Sequence, residues 1–581
     1  MTALLFDISD LLEYLRASRL PTGIQRVQLN ILRQVLAAEP DAAACAYAPE
    51  AAEWRPVPAP LFLRLAALSA SGADANAPEW QAALAGLANA LANAPPCAMG
   101  PGTMLVNLGS SWWQPGYMRR VAALKRDHGI RYIPFLYDCI PLLLPEHCAA
   151  GLVDEFSRWF AQLCLLADAV AVISDCTGRD FARLSAPLLG GASLPSFVVP
   201  LNVAAELSPA TPAPAELAGC VLFVATLESR KNHLLVFRAW QQLLQRHGPA
   251  MVPRLVCVGK RGWLAEPALA FLAANPTLAA HVRLLHNVAD GELAGLYQAC
   301  RFTLFNSFYE GWGLPVTESL SHGKVALVAD NSALPEAGAG GALHFPSNNL
   351  ADLVEKLETL LLQPEALPRL QARLLHEVRL RDWAALAAQL VAELRALLAA
   401  SPSAPRLALR PGEVWETRAL PGPTPSLAMA GAELTRMGPT WLPLEAWGCW
   451  VLPGRSVLRL PLAEMPGQAP LRVLVVFVGP PAPWHIGLRA GPAEGPLPAF
   501  TWLQGIAGQI IPCALEIPAS AWPEVVVEFE APEAVPLALV TPEDQRQVGF
   551  GLLHLMVCRA DDFAARLDYL ERQTLPGLAR I

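Results

Sequence analysis

Lysine is nearly missing from this chain. Of 43 basic residues only five are Lys, and all charged residues together make up 16% of the 581 positions. The bias reads as Arg-rich coding, and it makes each Lys worth inspecting. Positive charge is in deficit overall, with a net charge of −8 and a pI near 5.8. That excludes the basic stripe of a nucleic-acid binder. Long hydrophobic runs are absent too. The 53% apolar content and mean hydropathy of +0.33 would suit a membrane protein. Yet charge-free apolar runs such as Cys220–Leu227 and Val473–Val478 fall far short of the roughly 18 residues a spanning helix needs. The twelve Cys show no C-x-x-C pair, and no basic segment opens the chain as in a signal peptide. Both point to a reducing, cytoplasmic context.

The apolar excess present is mostly Ala and Leu, enough to bury several cores and to exclude wholesale disorder. Apolar strands at Ala3–Ile8, Met104–Leu108, Tyr132–Tyr137, Ala169–Ile173 and Phe197–Pro200 alternate with helical periodicity. A second series follows the Pro-rich segment Leu207–Pro214, at Cys220–Ala225, Arg254–Gly259, Val282–Leu285, Phe302–Asn306, Val325–Ala329 and Ala342–Phe345. Continuous apolar strands alternating with helices predict parallel sheets covered on both faces. Another Pro-rich linker, 401–405, precedes a tail of short strands punctuated by Pro and Gly, which predicts an antiparallel sandwich. The expected organisation is α/β. It comprises a Rossmann-like domain over 1–205, a second over 216–400 with a closing helix at 381–399, and an all-β sandwich domain over 406–581.

Two segments carry chemistry. Ser307-Phe-Tyr-Glu310-Gly311-Trp-Gly313-Leu314-Pro315-Val-Thr-Glu318 follows a strand and opens a helix. Its glycines permit close backbone approach, and the helix N-terminus suits a phosphate. Glu310 in the loop can accept hydrogen bonds from sugar hydroxyls, and Glu318, one turn into the helix, from ribose hydroxyls. Pro315 fits the first helical turn. In Thr226-Leu-Glu228-Ser-Arg230-Lys231-Asn-His233, again at a strand end, the Arg fork and the Lys point charge suit a diphosphate.

Together these segments resemble the signatures of the retaining GT-B glycosyltransferases of group 1, family four in the carbohydrate-enzyme classification. Glu310 and Glu318 stand as that family's Glu-x7-Glu pair, and the resemblance covers roughly residues 1–400. Phe6-Asp-Ile-Ser-Asp10 and Thr22-Gly23-Ile-Gln-Arg26 resemble the opening of bacterial exopolysaccharide and O-antigen members, where the glycine loop faces the donor phosphates. Tyr137-Asp138-Cys-Ile-Pro141, Ile173-Ser174-Asp-Cys-Thr177 and Ser332-Ala-Leu334-Pro335-Glu336 resemble further family segments. Tyr137 stands where many members carry His, and Ala225 where Gly is common.

The resemblance implies the GT-B fold, two Rossmann-like domains facing a cleft. It implies retaining transfer of a hexose from a nucleotide-sugar to a lipid-linked oligosaccharide or growing surface polysaccharide, with GDP-mannose as the first donor guess. Glu310, Arg230, Lys231 and Asp138 are the expected catalytic residues. Thr22, Gly23, Thr226, Gly311, Gly313, Leu314 and Glu318 are expected to bind donor, and Tyr137 and Ser174 to face the acceptor. No cofactor and no metal are expected, since no Asp-x-Asp motif lies in a suitable strand-end loop. The competing readings are a non-catalytic glycan-binding scaffold on a decayed GT-B fold, and a sugar-nucleotide epimerase.

Two features stay open. Arg119, Arg120, Lys125, Arg126 and Arg131, with Trp112, Trp113 and Tyr117 before them, suit either peripheral docking on an anionic membrane or a solvated helix face. The tail segments Trp441–Trp450 and Asp544–Gly551 resemble jelly-roll modules appended to polysaccharide-assembly proteins. Their Trp rings suit either stacking on sugars or filling the sandwich core.

Overall fold

The computed structural model describes residues 4–574, apart from 22, 73, 206–208, 402–405, 421, 423, 464–468 and 520–522. The expected site residue Thr22 and parts of both linkers therefore lie outside the described residues. The chain divides into two compact units. One comprises Met1–Pro115, Leu124–Val153 and Ala167–Pro402, and the other Gly116–Ala123, Asp154–Leu166 and Ser403–Ile581.

The first unit holds two sheets. β1 (Leu4–Asp7), β2 (Ala42–Ala48), β3 (Glu53–Val57), β4 (Met104–Asn107), β5 (Arg131–Leu136), β6 (Val170–Val172) and β7 (Ser196–Val198) form the first. Its order is β3-β2-β1-β4-β5-β6-β7, parallel except for the β2–β3 hairpin. β8 (Val221–Val224), β9 (Leu255–Val258), β10 (Val282–Leu285), β11 (Phe302–Phe305), β12 (Ala326–Asp330) and β13 (Leu343–Pro346) form the second, all parallel, in the order β10-β9-β8-β11-β12-β13. Both orders run outward from a central pair and reverse there, as in the doubly wound Rossmann fold. Two such sheets make the GT-B arrangement.

The local cause is visible in the strands themselves. β1 (LLFD), β4 (MLVN), β9 (LVCV) and β11 (FTLF) are buried at every position. Runs of this kind lose stability if either face meets water, so helices must cover both. The helix Trp383–Ala399 completes the first half, packing against the helix Ile24–Ala38. Arg395 on it lies 2.9 Å from Asp41, and Gln389 donates to the carbonyl of Val198 at 3.0 Å.

In the second unit, ten strands form two antiparallel five-strand paths. Gly454–Pro461, Glu524–Ala531 and Trp484–Pro492 are central to one, and Phe550–Arg559 and Leu471–Val478 to the other. Inward residues of both, including Leu458, Val473, Phe477, Ile486, Val527, Phe529, Phe550 and Leu555, share one core. The period-2 burial of Gly454–Pro461 is the pattern of a sheet covered on one face. Trp415, Trp441 and Trp484 are buried, whereas Trp447 and Trp502 are exposed. No helix among the described residues is long and apolar enough to cross a membrane. Within the basic stretch, Lys125 pairs with Asp168 and Arg126 with Asp127, while Arg131 donates to the carbonyls of Leu397 and Ala400.

Candidate functional site

In open α/β sheets ligands bind beyond the carboxyl ends of the strands, where the strand order reverses. In the second sheet that point lies between β8 and β11. The Thr226–Lys231 segment leaves β8 and the Ser307–Gly313 segment leaves β11, so topology alone brings the two sequence motifs together. They line a cleft of about 430 Å³, within the range typical of small-molecule sites. Gly23, Tyr137 and Asp138 from the first half line it as well, with Thr226, Arg230, Lys231, Glu310, Gly311, Gly313, Leu314 and Glu318 from the second.

At its centre Glu310 takes two cations on one oxygen. Lys231 Nζ bonds Oε1, and Arg230 Nη1 stands 2.9 Å from the same atom. Arg230 is itself fixed by the Tyr309 carbonyl at 2.7 Å and Glu228 at 2.8 Å. Burial raises the Glu310 pKa, but the Arg230 and Lys231 charges outweigh it and bring the carboxyl down to about 2. It is therefore a permanent carboxylate near neutral pH, an acceptor and not a proton donor. Burial and the neighbouring Arg230 push the Lys231 ammonium below its ordinary value, against the pull of Glu310. Burial also raises Asp138, opposed by Arg230. Asp138 accepts from the Ile140 N–H at 2.9 Å.

The loop glycine Gly311 has a steric reason. A Cβ there would stand 1.9 Å from the Tyr137 carbonyl oxygen and 3.0 Å from Asp138 Cβ. The Glu310 loop and the Tyr137–Asp138 segment thus touch backbone to backbone. Gly313, at φ +113°, caps the helix Leu314–Ser321, with Pro315 in its first turn. Glu318, on that helix, accepts from Tyr297 Oη at 2.9 Å and from Arg26 Nη1 at 3.3 Å.

One expected residue lies off the cleft. Ser174 is fully buried and caps the helix Asp175–Leu188, accepting from Thr177 N at 2.9 Å, and it does not line the cleft. Tyr137 lines the cleft but is largely buried, and its hydroxyl donates to the Leu108 carbonyl at 2.7 Å.

Several residues escaped the sequence reading. Arg26 closes the Thr22–Arg26 segment, where local spacing carries no sign of its partners. It reaches from the first half to Asp290, at 2.6 Å, and to Glu318. Glu336 accepts from the N–H groups of Asp175 and Cys176, both at 2.8 Å, at the start of the helix Ser174 caps. Tyr309 donates to Asp180 at 2.6 Å, and His147 lies 2.8 Å from Ser229 Oγ with its ring stacked on Phe308. A carboxylate at a helix N-terminus was readable in kind. Its partner, about 160 residues away, was not.

Comparison with known proteins covers part of this chain. Residues 212–374 match the family model "Glycosyl transferases group 1". The serotype-specific mannosyltransferase WbdA of Escherichia coli is 29% identical over 242 residues, covering 38% of this chain and 29% of that one. The O-antigen chain mannosyltransferase B of Escherichia coli is 35% identical over 131 residues, covering 22% of this chain and 34% of that one. The chain thus spans about a third or less of the length of these relatives. Sucrose-phosphate synthase from Thermosynechococcus elongatus superposes with a TM-score of 0.47 at 15% identity, over 68% of this chain and 99% of that one. Residues 212–374, which carry the Arg230–Lys231 pair and both Glu310 and Glu318, are thus similar to the group 1 glycosyltransferases.

Proposed function

We propose that the protein is a retaining hexosyltransferase that takes a nucleotide-sugar donor, GDP-mannose first, and extends a lipid-linked or growing surface polysaccharide. The observation carrying this reading is the convergence of Arg230 and Lys231 on Glu310 at the carboxyl ends of β8 and β11. Breaking an anomeric C–O bond leaves negative charge on the departing diphosphate. Preorganised cations aimed at such charge are usually the largest catalytic contribution. Arg230 and Lys231 supply them, and the helix N-terminus at Leu314 adds a positive dipole end. Glu310, ionised in the free protein, accepts hydrogen bonds from the sugar. Glu318 accepts them from the ribose, and Asp138 orients hydroxyls on the first-half side. Mannose is favoured by the names of two relatives, both mannosyltransferases.

The test is a donor panel of GDP-mannose, UDP-glucose and dTDP-rhamnose with purified protein, read as sugar release and binding isotherms. GDP-mannose turnover that disappears in Glu310→Ala and Lys231→Ala is the expected result. A clear preference for UDP-glucose refutes the donor assignment, and no turnover of any donor refutes the enzyme.

A further inference from the structure

A second cavity, in the β-sandwich unit, has the chemistry of a sugar site. It measures about 260 Å³ and is lined by Glu416, Arg418, Trp447, Leu553, His554 and Tyr569 among others. That is just under the roughly 300–1,000 Å³ usual for drug-sized ligands, room for one or two rings.

Trp447 is the unusual member. Ala446 and Trp447 form the two-residue connection of the hairpin Trp441–Glu445/Gly448–Val451, with Glu445 opposite Gly448. Neither residue takes a positive φ, so the turn itself sets no demand for Gly, Asn or Asp. A Trp serves no purpose there for the turn, and at 36% exposure it does not fill the core. It is nonetheless held in place. Its indole N–H donates to Glu445 Oε2 at 2.9 Å, and Arg546 grips Glu445 Oε1 at 2.6 Å. One side of the ring covers Gly551, where a Cβ would come within 2.6 Å of it, and Trp450 packs against it at 4.8 Å. A large apolar ring is thus held in a fixed orientation, partly open to water, on the wall of the cavity.

The polar groups beside it are paired and of mixed sign. Glu416 and His554 lie directly opposite each other on adjacent strands. Glu416 pairs with Arg418 at 3.2 Å, so the cavity carries a carboxylate and a guanidinium that cancel. His554 Nδ1 lies 3.0 Å from Tyr569 Oη, and burial keeps the ring below its ordinary pKa. A charge-balanced site gives no electrostatic reward to a phosphate or an ammonium. It suits a neutral ligand with an apolar face for the indole and a rim of hydroxyls for planar carboxylate and guanidinium groups. A pyranose ring has that shape.

We propose that this cavity binds a hexose unit of a neutral oligosaccharide, with the ring stacked on Trp447 and its hydroxyls on Glu416, Arg418 and His554. The site is separate from the donor cleft and does not depend on the donor reading.

The test uses the full chain and free manno-, gluco- and galacto-oligosaccharides of one to four units, followed by calorimetry and tryptophan fluorescence. Binding of at least one series is expected at millimolar concentration. Trp447→Ala should weaken it about tenfold or more, Trp447→Phe less, and Glu416→Gln measurably. Lys231→Ala, in the cleft, should leave it unchanged. Glu416→Gln keeps the test decisive if Trp447→Ala does not fold. Failure of every oligosaccharide to bind overturns the proposal. So does binding that survives both cavity substitutions or is lost in Lys231→Ala.

Discussion

Arg26 holds Glu318 and Asp290 at once, through Nη1 at 3.3 Å and Nη2 at 2.6 Å. Burial opposes its charge, but Glu318 and Asp290 together keep the guanidinium above its ordinary pKa. Removing it leaves two partly buried carboxylates facing one site. Arg26→Ala should destabilise the first unit by about 1.5–3 kcal/mol, the usual cost of losing hydrogen bonds to charged groups. Arg26→Lys should recover only part of this, because an ammonium lacks the fork that reaches both acids. Urea denaturation of the three proteins measures it.

Lys231 and Arg230 act on the same Glu310 oxygen, so removing one leaves the carboxylate and any diphosphate with a single cation. Lys231→Ala should lower donor turnover by roughly 10²–10³-fold, as for loss of one preorganised donor in a transition-state site. The fall should appear in kcat more than in KM, because the charge being stabilised develops only as the bond breaks. Steady-state kinetics with the preferred donor decide this.

Gly311 leaves no room for a side chain against the Tyr137 carbonyl. Gly311→Ala should force the Glu310 loop away from the Tyr137–Asp138 segment. Overpacking of this kind destabilises by about 1–3 kcal/mol. Here activity should fall further than stability, because the displaced residue is next to Glu310. Comparing thermal midpoint with turnover separates the two effects.

Asp10 sets a pH dependence. Burial lifts its carboxyl to about 6, helped by Asp7 and opposed by hydrogen bonds from Ser110 and Gln28. The folded state holds this proton more tightly than the unfolded chain. Its contribution to stability is therefore complete below about pH 4 and lost as pH rises through 6. Asp10→Asn keeps an acceptor but cannot titrate. Between pH 4 and 7 the wild type should lose on the order of 3 kcal/mol more stability than the variant. Glu310 does not confound the comparison. Its pKa is depressed, so its contribution is lost only as pH falls from about 4.5 towards 2.

Strands of both parallel sheets were legible because continuous apolar runs have few other uses. Val282–Leu285 matches the expected span residue for residue. The hairpin β2–β3 was not legible: Ala42–Ala48 is mostly alanine and Glu53–Val57 lacks a clean alternation, so neither shows a strand period. The cleft motifs were legible because each sits at a strand end and carries its own residue pattern within a few positions. Arg26–Asp290 and Glu336 with Asp175 were not, since these contacts join residues about 160 or more positions apart and local spacing carries no trace of them. Ser174 shows the opposite case. A Ser before a helical pattern has a local explanation as a cap, and that is the position it takes.

The short stretch from Ser332 to Glu336 fastens two things. Ser332 Oγ accepts from the Glu310 N–H at 2.9 Å, and four residues on Glu336 grips the first turn of the helix Asp175–Leu188. Glu310 is therefore linked to the opposing half by a hydrogen-bonded stretch about five residues long. A hinge motion that opens the cleft must either break the Glu336 bonds or drag the Glu310 loop with it. Alignment of that carboxylate and closure of the cleft become one mechanical variable, so a substitution at Glu336, outside the cleft, should detune both together.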